Sequence, residues 1–216
     1  MLFFVQKQVA GGPGLEANRA VPLNRPPLPA AARPRPGRTG SGAAVQVFIL
    51  AGGLSSRMGR DKARLRLGGR ALLTWVRTAA RATGWPVRVV WRDAVPRCGP
   101  LGGVWTAFKR SRARRLVFLS CDQPFVTTDL IRQAGRAKGP VFTRTAEGAG
   151  FPFALDRDAQ LAVAQALGEK RFSLQAFAER VHARSIRPAK TLPAQLLNLN
   201  TPAEFEEAAQ RWTKGG

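Results

Sequence analysis

The stretch 48–62, FILAGGLSSRMGRDK, passes within a few residues from apolar side chains to glycine, serine and cations. That is the pattern of a buried strand emptying into a loop at its carboxyl end, the edge on which α/β sheets bind ligands. Gly52 and Gly53 let the backbone take positive φ and come close to a ligand, so that successive N–H groups can line a nest for phosphate oxygens. Arg57 and Lys62 add positive charge beside that nest. The spacing fits neither the GxxxxGK(S/T) P-loop nor the GxGxxG dinucleotide fingerprint. The plain alternative is a tight turn carrying solvated cations.

Three further groups have chemistry to offer. Asp122 follows the most hydrophobic run of the chain, LVFL at 116–119, and precedes Gln123 and Pro124. Parallel strands all end on one edge, so this carboxylate faces the same crevice as the glycine loop. A nucleotide's magnesium takes hard oxygen ligands and is often held by one or two carboxylates plus substrate phosphates, so one aspartate suffices there. Asp93 stands upstream of Gly99, Pro100, Leu101, Gly102 and Gly103. Glycines just before a helix would let a ligand reach the helix amino terminus, and a carboxylate can accept N1–H and the exocyclic amine of guanine as a pair. Asn198 and Asn200, in NLNTP, are neutral side chains able to donate to phosphates. Each of these also has an ordinary reading as a turn or cap residue.

Together these strings resemble the molybdenum cofactor guanylyltransferases, the nucleotidyltransferases that make molybdopterin guanine dinucleotide. Leu50, Ala51, Gly52, Gly53, Ser55, Arg57, Met58, Gly59, Asp61 and Lys62 match a signature loop that reads roughly LAGGxSxRMGxDK. CDQPF is similar to the family's CDxPF, GPLGG to its GPLAG or GPLGG, and NLNTP to its NxNTP. The resemblance implies transfer of GMP from GTP to molybdenum-bound molybdopterin with release of pyrophosphate. It implies magnesium on Asp122, phosphates neutralised by Arg57 and Lys62, and guanine selected by Asp93. Leu50, Ala51, Gly52, Gly53, Ser55, Gly102, Asn198 and Asn200 would line the nucleotide site. Proteins that deliver the cofactor, and molybdoenzymes that receive it, are the implied partners. Related cytidylyltransferases have LAAG in the first loop and tend to carry Asp in the NxNTP element; both differences favour guanine. In one respect the chain departs from the family. Only GWPVRVVWRD, ending in Asp93 itself, follows the first helix, where the family has a strand, a short helix and another strand, including an Asn that contacts nucleotide. The other readings are a relative using CTP or a sugar phosphate, and a non-catalytic GTP-binding adaptor.

The rest of the chain must hold these residues in place. Residues 1–44 are rich in Pro, Arg and Gly, with little that could build a core, and are expected to form a flexible extension. Residues 45–216 are expected to form one domain. From Val45 the rhythm is strand, loop, helix. Helices are expected at 71–83, from about 101, from Thr127 as cap to about 138, at 157–167 and 173–180, and after the capping box of Thr201, Pro202 and Glu204. Strands are expected at 86–91, 116–119, 141–144, 151–155 and 182–187. This alternation implies an α/β fold, a doubly wound, Rossmann-like and mainly parallel sheet. With the resemblance, the type is that of the nucleotide-diphospho-sugar transferases.

The formal charge of +22 over 216 residues draws anionic partners by a long-range field. The basic residues are spread along the chain and not interleaved with aromatics, which speaks for compositional bias over a nucleic-acid groove. Cys98 and Cys121 are too few for a zinc site or a disulfide framework, and a reduced cytoplasmic protein is expected. No apolar run nears the roughly 18 residues that span a bilayer, and MLFFVQKQ lacks the basic start of a secretory signal. His182, the one histidine, has no companion for a metal site or a triad.

Overall fold

The computed structural model describes residues 44–52, 65–145, 148–186, 199, 204–206 and 208–210. Within them the chain runs β1 (Val45–Leu50), a small hairpin of β2 (Arg66–Leu67) and β3 (Arg70–Ala71), α1 (Leu72–Arg81), β4 (Val87–Val90) and α2 (Gly99–Arg110). It continues through β5 (Arg115–Ser120), α3 (Thr128–Arg136), β6 (Val141–Thr145), β7 (Gly148–Asp156), α4 (Ala159–Gly168), α5 (Leu174–Arg180) and β8 (Arg184–Ile186). Residues 204–206 and 208–210 are helical.

The main sheet has the order β4-β1-β5-β7-β6-β8. Strands β4, β1, β5, β6 and β8 run in one direction and β7 runs against them. The chain leaves β1 for β4 on one side and then crosses to β5 on the other. The crevice at the carboxyl end of β1 is therefore the topological switch point, where such sheets take ligands.

Alternation along the strands sorts the core onto two faces. Val47 and Ile49 of β1, with Val117 and Leu119 of β5, pack against α1 and α3. Phe48 and Leu50, with Leu116 and Phe118, pack against α2, α4 and α5. At one level of the second face the registered pairs Phe48↔Phe118, Phe118↔Phe153 and Phe142↔Phe153 form a row across β1, β5, β7 and β6. Their ring centroids are 6.2, 4.8 and 4.5 Å apart. Aromatic cross-strand pairs add to sheet stability beyond their buried area, and this row lies two residues below the end of β1.

Several expected elements differ in extent. The helix expected from about Leu101 begins at Gly99, whose φ is +55°. The GPLGG glycines are thus part of the helix and not a loop ahead of it, because Pro100 suits a first turn and Leu101, Val104 and Phe108 are fully buried. Strand β7 reaches back to Gly148, beyond the expected 151–155, through pairing with β6. The Thr127 cap is present: its side chain accepts from Leu130 N–H. Thr201 and Pro202 lie outside the described residues. As the short GWPVRVVWRD link implies, α1 leads directly into β4, and β4 is an edge of the sheet.

Candidate active site

The carboxyl end of β1 is clamped from both sides. Ala51 and Gly52 N–H both donate to the Val90 carbonyl, at 2.9 and 3.0 Å, while the Leu50 carbonyl accepts from Cys121 N–H at 3.2 Å. These bonds fix the root of the glycine loop between the ends of β4 and β5. Gly52 is required by space: a Cβ there would stand 2.8 Å from the Trp91 carbonyl oxygen, and backbone does not give way to it. Gly53, Ser55, Arg57 and Lys62, further along the loop, lie outside the described residues.

Asp122 comes two residues after the end of β5, next to the Cys121 amide that bonds Leu50. Its Oδ1 accepts from Ser120 Oγ at 2.6 Å, which orients the carboxylate. Its carbonyl accepts from Leu199 N–H at 3.0 Å. Leu199 is fully buried beside Leu67, Leu72 and Phe125, so the leucine between the two asparagines of NLNTP is tied to the Asp122 turn. Asn198 and Asn200 themselves lie outside the described residues. Among the described residues no group of three or more His, Cys, Asp or Glu could cage a metal. One oriented carboxylate is a donor set that fits magnesium, which is commonly held by one carboxylate with phosphates and water.

Asp93 lies on the loop between β4 and α2, over the first turn of α2. A Cβ on Gly102 would stand 3.1 Å from Asp93 Oδ2, and one on Gly103 would stand 3.3 Å from Asp93 Oδ1 and 3.0 Å from Leu50 Cδ2. The two glycines thus let the carboxylate settle against the helix beside the end of β1. Partial burial pushes the Asp93 carboxyl above its ordinary value, and among the described residues no cation pairs with it. A half-buried carboxylate of this kind suits a ligand that brings its own N–H donors.

The structure therefore brings Leu50, Ala51, Gly52, Asp93, Gly102 and Asp122 to one edge of the sheet. His182 is elsewhere, exposed in the turn between α5 and β8, and Cys98 and Cys121 are buried and unbridged. Reasoning from sequence missed Ser120, whose signal was a hydroxyl ending an apolar run. It also missed the anchor Leu199.

Residues 47–185 match the MobA-like NTP transferase domain. A molybdenum cofactor guanylyltransferase of Cereibacter sphaeroides is 37% identical over 188 residues, covering 74% of this chain and 93% of that protein. A second, from Rhizobium rhizogenes, is 39% identical over 119 residues, and there the match covers 45% of this chain and 55% of the relative. Among solved structures, the molybdopterin-guanine dinucleotide biosynthesis protein A of Archaeoglobus fulgidus superposes with a TM-score of 0.66. It covers 78% of this chain and 99% of that one, at 17% identity, a likeness of fold.

Proposed function

The chain belongs to the MobA-like NTP transferase family, and from that premise we propose that it transfers GMP from GTP to molybdopterin. An oxygen of the pterin's terminal phosphate attacks the α-phosphorus of GTP, the new phosphoanhydride forms, and pyrophosphate leaves with the electrons of the broken bond. The nucleophile belongs to the substrate, so the chain needs no Ser, Cys or His nucleophile. The observation that carries the reading is the meeting of Gly52, Asp93 and Asp122 around the end of β1.

In this account the protein supplies alignment and charge. The amides of Ala51 and Gly52 already donate to the Val90 carbonyl, so Leu50, Ala51 and Gly52 line the site while the loop from Gly53, with the Ser55 hydroxyl, holds phosphate oxygens. Arg57 and Lys62 neutralise them, and Asn198 and Asn200 add uncharged donors. Asp122, oriented by Ser120, would hold magnesium, which when bound supplies positive charge against the phosphates. Asp93 accepts guanine N1–H and the 2-amino group over the first turn of α2. Calorimetry of GTP, CTP and ATP with magnesium tests the base assignment: GTP is expected to bind at least about tenfold more tightly than the others, and equal binding would reject it.

The base contact carries a pH signature. Guanine binding needs ionised Asp93, and burial raises its pKa. Affinity for GTP is expected to fall on acidification from a higher pH than an ordinary carboxylate would give, and Asp93→Asn should remove that dependence. For the free protein the sign is opposite. A folded-state pKa above the unfolded one means that Asp93 subtracts from stability as pH rises from 3.8 through the raised value.

We also assign residues 45–216 as the catalytic domain, supported by the start of β1 at Val45 and of the family match at 47. Removal of residues 1–43 is expected to leave transfer and melting temperature unchanged; an insoluble or inactive product would show that the extension contributes. The unbridged cysteines suit a reducing cytoplasm. No helix among the described residues is long and apolar enough to cross a membrane. Exchange of the cofactor with delivery and acceptor proteins follows from the same reading.

A further inference from the structure

Thr106 lies one turn along α2 from Gly102 and is 1% exposed. Its hydroxyl donates to the Gly102 carbonyl at 2.8 Å and accepts from Ala94 N–H at 2.7 Å. The first bond is the back-bond that a helical threonine commonly makes, at a small cost to the helix. The second reaches out of the helix to the residue next to Asp93. The hydroxyl proton would be satisfied by Gly102 alone, whereas Ala94 N–H would lose this acceptor without Thr106. On the far side of Ala94, the Val95 carbonyl presses on the helix, 2.6 Å from where a Gly102 Cβ would be. The stretch 93–95 is thus held flat on the first turn by one hydroxyl and one missing Cβ.

We propose that Thr106 is a positioning residue for base selection: its hydroxyl, through Ala94, holds the Asp93 carboxylate where it accepts the paired donors of guanine. The inference rests on Asp93 as the guanine acceptor. A shift of about 1 Å in a group that reads hydrogen bonds is enough to lose most of its discrimination. Thr106 touches no substrate, so its effect falls on the choice between nucleotides.

The test compares the binding of GTP and ITP, which lacks the 2-amino group, by calorimetry with magnesium on the full chain. The unaltered protein is expected to prefer GTP by at least about tenfold, since ITP leaves a carboxylate oxygen unpaired. Thr106→Val should lower that preference at least about fivefold, while Thr106→Ser, which keeps the hydroxyl, should keep it within about twofold. If valine prevents folding, Thr106→Ala is measured with the same expectation. A threonine that only supports the fold would lower the melting temperature and the active fraction but leave the preference unchanged, and that result overturns the proposal. Asp93→Asn separates the two claims. If it abolishes the preference while the Thr106 variants retain it, Thr106 alone is dismissed. If Asp93→Asn keeps the full preference, the base reading fails and the role of Thr106 falls with it.

Discussion

Replacement of Asp122 by alanine is expected to lower guanylyl transfer by about 10³-fold or more while the protein stays folded. The carboxylate follows the central strand β5, beside the carboxyl end of β1, and is the hard oxygen donor proposed to hold magnesium. Without it, under the proposed assignment, phosphate charge would be left to Arg57 and Lys62, whose single charges do not replace that of a divalent ion. The bond to Leu199 uses the Asp122 carbonyl and is kept in the variant. The lost bond from Ser120 costs about 1 kcal/mol. Asp122→Asn keeps an acceptor for Ser120 and should be nearly as inactive, which separates charge from shape. Steady-state turnover beside a thermal melt reads both; near-normal turnover in either variant would reject the metal assignment.

Gly102→Ala is expected to lower kcat/KM for GTP about 100-fold and to destabilise the protein by about 1–2 kcal/mol. Alanine is intrinsically the better helix residue by about 1 kcal/mol, so propensity alone predicts the opposite sign. The contact decides it. The new methyl would stand 2.6 Å from the Val95 carbonyl oxygen, which is backbone, and 3.1 Å from Asp93 Oδ2. The loop must lift, and lifting it strains the bond from Ala94 N–H to Thr106. With Asp93 as the proposed guanine acceptor, base recognition is expected to be lost with the same movement. A variant more stable than the parent, with unchanged preference for GTP, would show that the loop is not held against the helix.

What could be read from the sequence was local. The run ending at Leu50 and the run LVFL announced β1 and β5 because strands buried on both faces are continuously apolar. Glycine after the first and an aspartate after the second then pointed to one shared edge, where the structure has Gly52 and Asp122. The GPLGG segment was misleading in one respect, since its glycines argue against a helix by propensity. Pro100 and the burial of Leu101, Val104 and Phe108 outweigh that preference. The reversed direction of β7 was not legible, because it is set by pairing with β5 and β6, strands distant in the chain. Thr106 carried no signal at all: a lone threonine in an amphipathic helix looks the same whether or not a loop rests on it. Leu199 was hidden in the same way, an apolar residue between two asparagines whose burial depends on the hairpin β2–β3 and on Phe125.

A transfer reaction selective for GTP can be read directly in one assay. Purified protein is incubated with molybdopterin, magnesium and either GTP, CTP or ATP, and pyrophosphate is measured together with the dinucleotide formed. Pyrophosphate and molybdopterin guanine dinucleotide are expected in equal amounts with GTP, and at most about a tenth of that rate with CTP or ATP. Binding of GTP with no pyrophosphate released, or equal turnover of CTP, would contradict this assignment.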